Sequence, residues 1–273
     1  MTKYALTKYG FVFGIGIQNT LVYRFNFLMR ALIALVPLSA TLFLWQSIYS
    51  GKSEGSLIGA YSLPQMMSYY LLVTVVDAFT AVAEDDWQIA ADIRNGQISQ
   101  FLLKPMDFFA YRICLYFSGR CIYTVMALIP VAGFIAFQHQ YFVLPSGIGA
   151  WIGFGISCLL AGLLQFLIAY CVALMAFWLL DVSTLIFMQF AIEYLVSGHL
   201  FPLDLLPGKL VSVMNCLPYP YLLHFPISIY LERLSRAEIA RGFAFQIGWI
   251  VIMTGLARWV WNRGIRHYEA VGG

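Results

Sequence analysis

Long apolar runs alternate with short polar interruptions along nearly the whole chain. A helix needs about 20 mostly apolar residues to cross roughly 30 Å of hydrocarbon. Six windows meet or approach that length: Phe27–Tyr49, Tyr61–Ala83, Ile113–Phe137, Ile148–Leu180, Ser183–Leu200 and Phe243–Trp261. The fourth is longer than a crossing requires, which predicts tilt, a kink or an extension into the cytosol, and the fifth is barely long enough. The pattern predicts an all-α polytopic membrane protein with six transmembrane helices.

Three stretches break the pattern. Ahead of the first window, Phe11, Ile15, Gln18, Asn19, Val22 and Arg24 recur with a periodicity that suits an amphipathic helix lying in the membrane interface, over about residues 1–26. The alternative is that these residues start a long first span. Between the second and third windows lies the most polar segment, EDDWQIAADIRNGQISQFLLKPMD (Glu84–Asp107). Its Asn95-Gly96 pair is a turn signal, after which Ile98, Phe101 and Leu102 recur at i, i+3 and i+4 on one face of a short helix. Lys104 suits the C-terminal end of that helix and Pro105 stops it. The apolar face of such a helix must be buried, either on the protein's own spans or in a groove on a soluble partner. The third stretch holds half of the 10 prolines: Pro202, Pro207, Pro218, Pro220 and Pro226. Each internal Pro removes a backbone donor, so this apolar region predicts short broken helices dipping into the outer leaflet.

Composition agrees with a membrane class. The chain is 61% hydrophobic and only 11% charged, where a soluble domain is about a quarter charged. A net charge of +3 gives no reason to expect a nucleic-acid partner, but the placement of charge sets orientation. With the N-terminus inside, Lys3, Lys8, Arg24, Arg94 and Lys104 join a cytoplasmic set about twice as long as the outer one, which includes Lys52, Lys209 and Arg233. Both termini are therefore expected in the cytoplasm. The N-terminal stretch does not read as a cleavable signal. Cys114, Cys121, Cys158 and Cys171 fall in apolar runs and read as small core residues, while Cys216 does not; no CxxC spacing suggests a metal or disulfide framework.

The segment IRNGQISQFLLKP resembles the G-x-[IL]-x-x-x-L-L-x-P stretch of permease subunits in type-2 ATP-binding-cassette (ABC) exporters. VSGHLFPLDLLP (Val196–Pro207) is similar to the G-x-x-[FY]-P-x-x-x-x-P signature that follows their fifth span. YRFNFL (Tyr23–Leu28) and the terminal RHYEAVGG resemble the ends of one branch of these permeases, many of them without an assigned substrate. The resemblance runs nearly end to end. It implies a single permease domain over residues 1–273, with a cytoplasmic coupling loop at 84–112 and an outer reentrant region at 201–242. It implies that Gln97–Leu103 is a coupling helix docking in a cytosolic ATPase, with Gly96, Ile98, Phe101, Leu102, Leu103 and Pro105 as the docking residues. Glu84, Asp85, Asp86 and Asp92 would be a solvated approach to it. Gly198, Phe201, Pro202 and Pro207 become candidates for an outer gate, or equally for a lid that packs the fifth and sixth spans.

The implied partners are two ABC ATPase subunits and a second permease subunit, identical or paralogous, in a bacterial inner membrane. No cofactor is expected on this chain; ATP and Mg²⁺ would sit on the ATPase. SGKS at Ser50–Ser53 is no Walker A, because the position five residues before Gly51 is Gln46. No catalytic constellation or metal-ligand spacing is present, and His139, His199, His224 and His267 are scattered, the first three in expected outer loops. Ionisable residues inside spans are functional candidates. Asp77 is expected to be structurally paired. Glu193 lines a translocation cavity, binds a cationic group on the substrate, or equally pairs with a Tyr, Ser or Arg from another helix or a second subunit. The expected function is therefore an exporter of an amphipathic or lipid-linked substrate. The rival readings are an ion-coupled transporter using Asp77 and Glu193, and a membrane scaffold that transports nothing.

Overall fold

The computed structural model of the protein describes residues 2–53, 56–59, 61–82 and 85–268. Glu84 and the terminal Glu269–Gly273 lie outside the described residues. Within them the order is α1 (Thr2–Val22), α2 (Arg24–Ser50), α3 (Leu63–Thr80), α4 (Asp85–Arg94), α5 (Ile98–Leu102), α6 (Phe108–Phe137), α7 (Ile148–Ala173), α8 (Ser183–Val196), α9 (Gly208–Met214), α10 (His224–Tyr230) and α11 (Arg236–His267). An isolated bridge between Ile58 and Tyr61 is the one extended pairing among these residues.

Local chemistry sets several of the boundaries. Ser62 and Gln65 form a reciprocal capping box that starts α3, with Pro64 in the first turn, and Ser235 and Glu238 repeat the box at α11. Asp107 caps α6 by accepting from the Ala110 N–H at 2.8 Å. Pro37 and Pro130 sit inside α2 and α6, which stay helical around them, and the Thr41 hydroxyl donates to the Pro37 carbonyl at 3.0 Å.

Among the described residues, four helical stretches are long and apolar enough to cross a membrane: Arg24–Ser50, Phe108–Phe137, Ile148–Phe177 and Arg236–His267. The third of these combines α7 with a tight 3-10 turn at Leu174–Phe177, so the overlong fourth window ends in a change of helix type. Expected spans two and five correspond to the shorter α3, 18 residues, and α8, 14 residues. At 1.5 Å per residue these measure about 27 and 21 Å, so α8 falls well short of a full hydrocarbon crossing.

The apolar window of α7 is 61% buried, against 11–17% for those of α2, α6 and α11. α7 is thus the central post, and the other three turn one side to protein and leave the rest uncovered. Lipid is as apolar as Leu, so packing and interhelical hydrogen bonds of about 0.6–2 kcal/mol each hold such a bundle. Thr124 donates to the Ala78 carbonyl at 3.0 Å, and Gln246 Nε2 donates to the carbonyls of Ser157 and Tyr221 at 3.0 and 2.9 Å.

α1 runs lengthwise beside the first turns of α6. Lys8 Nζ reaches the Pro105 carbonyl at 2.6 Å just before α6 begins, and Thr20 lies against Gly119 farther up. Gly16 and Ser118 are small enough for the two helices to approach closely, and only Tyr23 separates α1 from α2. Cys121, expected in the core, is exposed on α6.

Candidate functional site

One end of the bundle carries the segment between α3 and α6. α4 ends where Gly96 adopts φ +75°, with Gly96 N–H donating to Ile93 and Gln97 N–H reaching back to the Asp92 carbonyl at 3.0 Å. This is a left-handed helix stop, and it explains why Gly follows Asn95. α5 then begins at Ile98. Its residues advance about 100° each, so Ile98 and Phe101 share one side, Leu102 lies at its edge and Leu103 points opposite.

That division corrects the expected docking face. Ile98 is 0% and Phe101 8% exposed, and Phe101 meets the rings of Phe108 and Tyr111 at 5.0 Å each. Both are anchors on the protein's own spans. Leu102 and Leu103, 51% and 87% exposed, are left facing outward, beside the exposed Pro105. The acids also depart from a solvated row. Asp86 is buried and accepts from the Trp87 N–H, and Asp92 forms an ion pair with the buried Arg112.

Both ends of the chain clamp this segment. Lys8 holds the Pro105 carbonyl, and the Tyr9 hydroxyl accepts from the Asp107 N–H at 3.2 Å. From the other end, Arg258 binds Asp107 at 2.6 Å and the hydroxyls of Tyr268 and Ser99 lie 3.0 Å apart.

A second cluster lies deeper. After α8, Gly198 takes φ +101°, and the chain turns back against α3, where the Tyr69 and Tyr70 hydroxyls donate to the carbonyls of Gly198 and Leu200 at 2.8 and 2.7 Å. This brings His199 Nε2 to 2.9 and 3.1 Å from the two Asp77 oxygens, while Nδ1 lies 2.6 Å from the Ser197 hydroxyl. His199, expected in an outer loop, therefore stands beside Asp77, because α8 is too short to carry it to the outer surface. Asp77 is paired with His199. Glu193 is buried and accepts from Gln165 Nε2 at 3.0 and 2.9 Å and from Gln189 Nε2 at 2.7 Å. Asp77 and His199 line a cavity of about 390 Å³ between α2, α3, α6 and the end of α8, which Glu193 does not line.

At the opposite end, Phe201 is half-buried, Pro202 is buried and Pro207 precedes α9. Between them Asp204 accepts from the Tyr61 hydroxyl at 2.8 Å, with His224 Nε2 at 3.3 Å and Arg233 Nε at 3.5 Å. The Arg233 guanidinium lies 3.7 Å from the centre of the Tyr61 ring. Burial pushes the Asp204 carboxyl up, but the His224 hydrogen bond and charge, the Tyr61 bond and Arg233 outweigh it and hold the group well below the usual carboxylate range.

Residues 35–272 match the model of a family described as ABC-2 family transporter protein. The chain belongs to the ABC-2 transporter family. Neither the curated proteins nor the solved structures yield a match. As an ABC-2 permease it is a membrane transport component rather than the ATPase itself, and membership implies an ABC ATPase subunit as its partner. The match begins inside α2, runs through α11 and leaves α1, with Lys8 and Tyr9, outside.

Several residues of the permease's sites went unread in the sequence. Gln165, an amide inside the apolar run LLQFLI, was the legible clue to a partner for Glu193. Tyr69 and Tyr70 carried no signal for the carbonyls they bind. His199 carried no signal of its own, since its partner Asp77 is 122 positions away.

Proposed function

We propose that this permease forms the six-span pathway subunit of an ABC exporter and is driven through the α4–α5 segment by a separate ATPase. α3 and α8 serve as the second and fifth spans, α5 with its flanking residues is the coupling helix, and two permease subunits, identical or paralogous, stand above two ATPase subunits. The cytoplasmic termini, the bacterial inner membrane and an amphipathic or lipid-linked substrate complete the reading. ATP and Mg²⁺ belong to the ATPase. The α9–α10 region, with Gly198, Phe201, Pro202 and Pro207, serves as the outer gate.

The observation that carries this is the exposed Leu102–Leu103 pair on a short helix anchored by Ile98 and Phe101 and clamped from both chain ends. An anchored base with an apolar tip is the form a mechanical joint needs, because force entering at the leucines passes into α6 and α7 rather than bending a loose loop. Leu103→Arg is expected to leave the permease folded and monodisperse in detergent while abolishing co-purification of the ATPase. Phe101→Arg is expected instead to unfold it, since a charge would enter an aromatic core without a partner. Full ATPase co-purification with Leu103→Arg overturns the assignment of the joint.

A further inference from the structure

The cavity between α2, α3, α6 and the end of α8 has a chemical sign. Its walls include Tyr70, Tyr123 and Tyr194, and Tyr194 stacks on the His199 ring with centroids 5.1 Å apart. His199 has no nitrogen left for a ligand: Nδ1 is engaged by Ser197 and Nε2 by Asp77. Asp77 is different. Its two oxygens offer about four lone-pair directions, His199 takes only one side of them, and 35% of the side chain remains open. An ionised carboxylate only accepts, so the free polar group presented to the cavity accepts hydrogen bonds or attracts positive charge.

Neither Glu193 nor Arg120 cancels this. Glu193, the other acid at this depth, is satisfied by Gln165 and Gln189 and does not line the cavity. The guanidinium of Arg120 rests 4.9 Å from the Tyr123 ring centre and is outside the cavity lining.

We propose that this cavity binds the cationic head of an amphiphile, with Asp77 as the counter-charge, the tyrosine faces around the cation and His199 as the residue that positions Asp77. A volume of about 390 Å³ admits an aryl or alkyl onium group. Aromatic faces attract such cations where water is excluded. This deepens the transporter reading and rests on it, because it names the substrate class of that pathway.

The test compares tetraphenylphosphonium with tetraphenylborate, two ions of the same shape and opposite charge. Equilibrium dialysis of radiolabelled tetraphenylphosphonium against the purified full chain in detergent is expected to show saturable binding that tetraphenylborate does not displace. Asp77→Asn is expected to weaken it about tenfold or more, since it removes the counter-charge in a site of low dielectric. Ala34→Trp fills the cavity from the α2 wall, leaves Asp77 in place and is expected to abolish binding; it decides the matter where Asp77→Asn does not fold. Equal binding by the wild type and the folded variants, or tighter binding of tetraphenylborate, overturns the inference. ATPase co-purification from the same preparations separates the two claims. Lost cation selectivity with the ATPase retained defeats the ligand assignment alone, whereas cation binding without any ATPase defeats the exporter reading.

Discussion

Gly96 shows how one position serves two purposes. Its φ of +75° closes α4 and sets the direction in which α5 leaves, so the residue fixes the aim of Leu102 and Leu103 without touching a partner. A Cβ in this region costs about 1–2 kcal/mol. Gly96→Ala is expected to lower the stability of the permease by that amount and to weaken ATPase association. Gly96→Asn should recover most of both, because Asn tolerates the left-handed region. Thermal unfolding in detergent, with ATPase co-purification from the same membranes, reads both effects; equal losses in Ala and Asn variants would mean that the side-chain space, not the backbone angle, is what matters. The glycine itself was legible as a turn signal, because Asn-Gly has few other uses. The partners of Ile98 and Phe101 were not: an i, i+3 spacing identifies a common face and is silent on which surface covers it.

At the scale of elements, the short helices carry the information that hydropathy misses. The apolar window ending at Leu200 suggested a span, yet α8 ends at Val196 and the chain doubles back along α3. That return places Asp204 on Tyr61 and ties the start of α3 to α10 and the turn after it. The consequence for pH follows from sign. The folded carboxyl titrates below its unfolded value of about 3.9, so the cluster's stabilisation is complete above that pH and is lost as pH falls below it toward the folded value. Asp204→Asn is expected to cost about 1–2 kcal/mol at neutral pH, a modest figure because the site is partly open to solvent. It should also flatten the loss of stability in thermal melts as the pH falls below about 4. A variant as stable as the wild type at neutral pH would remove Asp204 from the outer tie.

For the whole molecule, the class was readable and the depth of individual groups was not. Composition and six apolar windows are enough for a helical membrane protein, because every backbone polar group in lipid has to be satisfied within its own helix. They do not say that α7 is the central post, since Ile148–Phe177 and Arg236–His267 are both apolar but only the first is largely covered by protein. Nor do they distinguish Glu193 from Asp77, two acids in similar surroundings of which only one faces a cavity. The six-span arrangement has a direct check. Cys216, exposed in the turn after α9, is expected to react with a membrane-impermeant maleimide added to intact cells. Cys121, exposed on the apolar helix α6, should stay unlabelled because a membrane-impermeant reagent does not enter the hydrocarbon. A cysteine in place of Leu103 should react only after permeabilisation. Labelling of that cysteine in intact cells would invert the topology.

The clamp on the inner segment also bears on biosynthesis. Its contacts come from Lys8 and Tyr9 at one extreme of the chain and from Arg258 and Tyr268 at the other. A ribosome that has released only the first three membrane helices has made Leu102 and Leu103 together with Lys8 and Tyr9, but not Arg258 and Tyr268. The leucines gain their full support only once α11 has been inserted. An ATPase that selects the braced arrangement would engage finished permeases and pass over nascent ones, so fuel would not be spent on half-built channels.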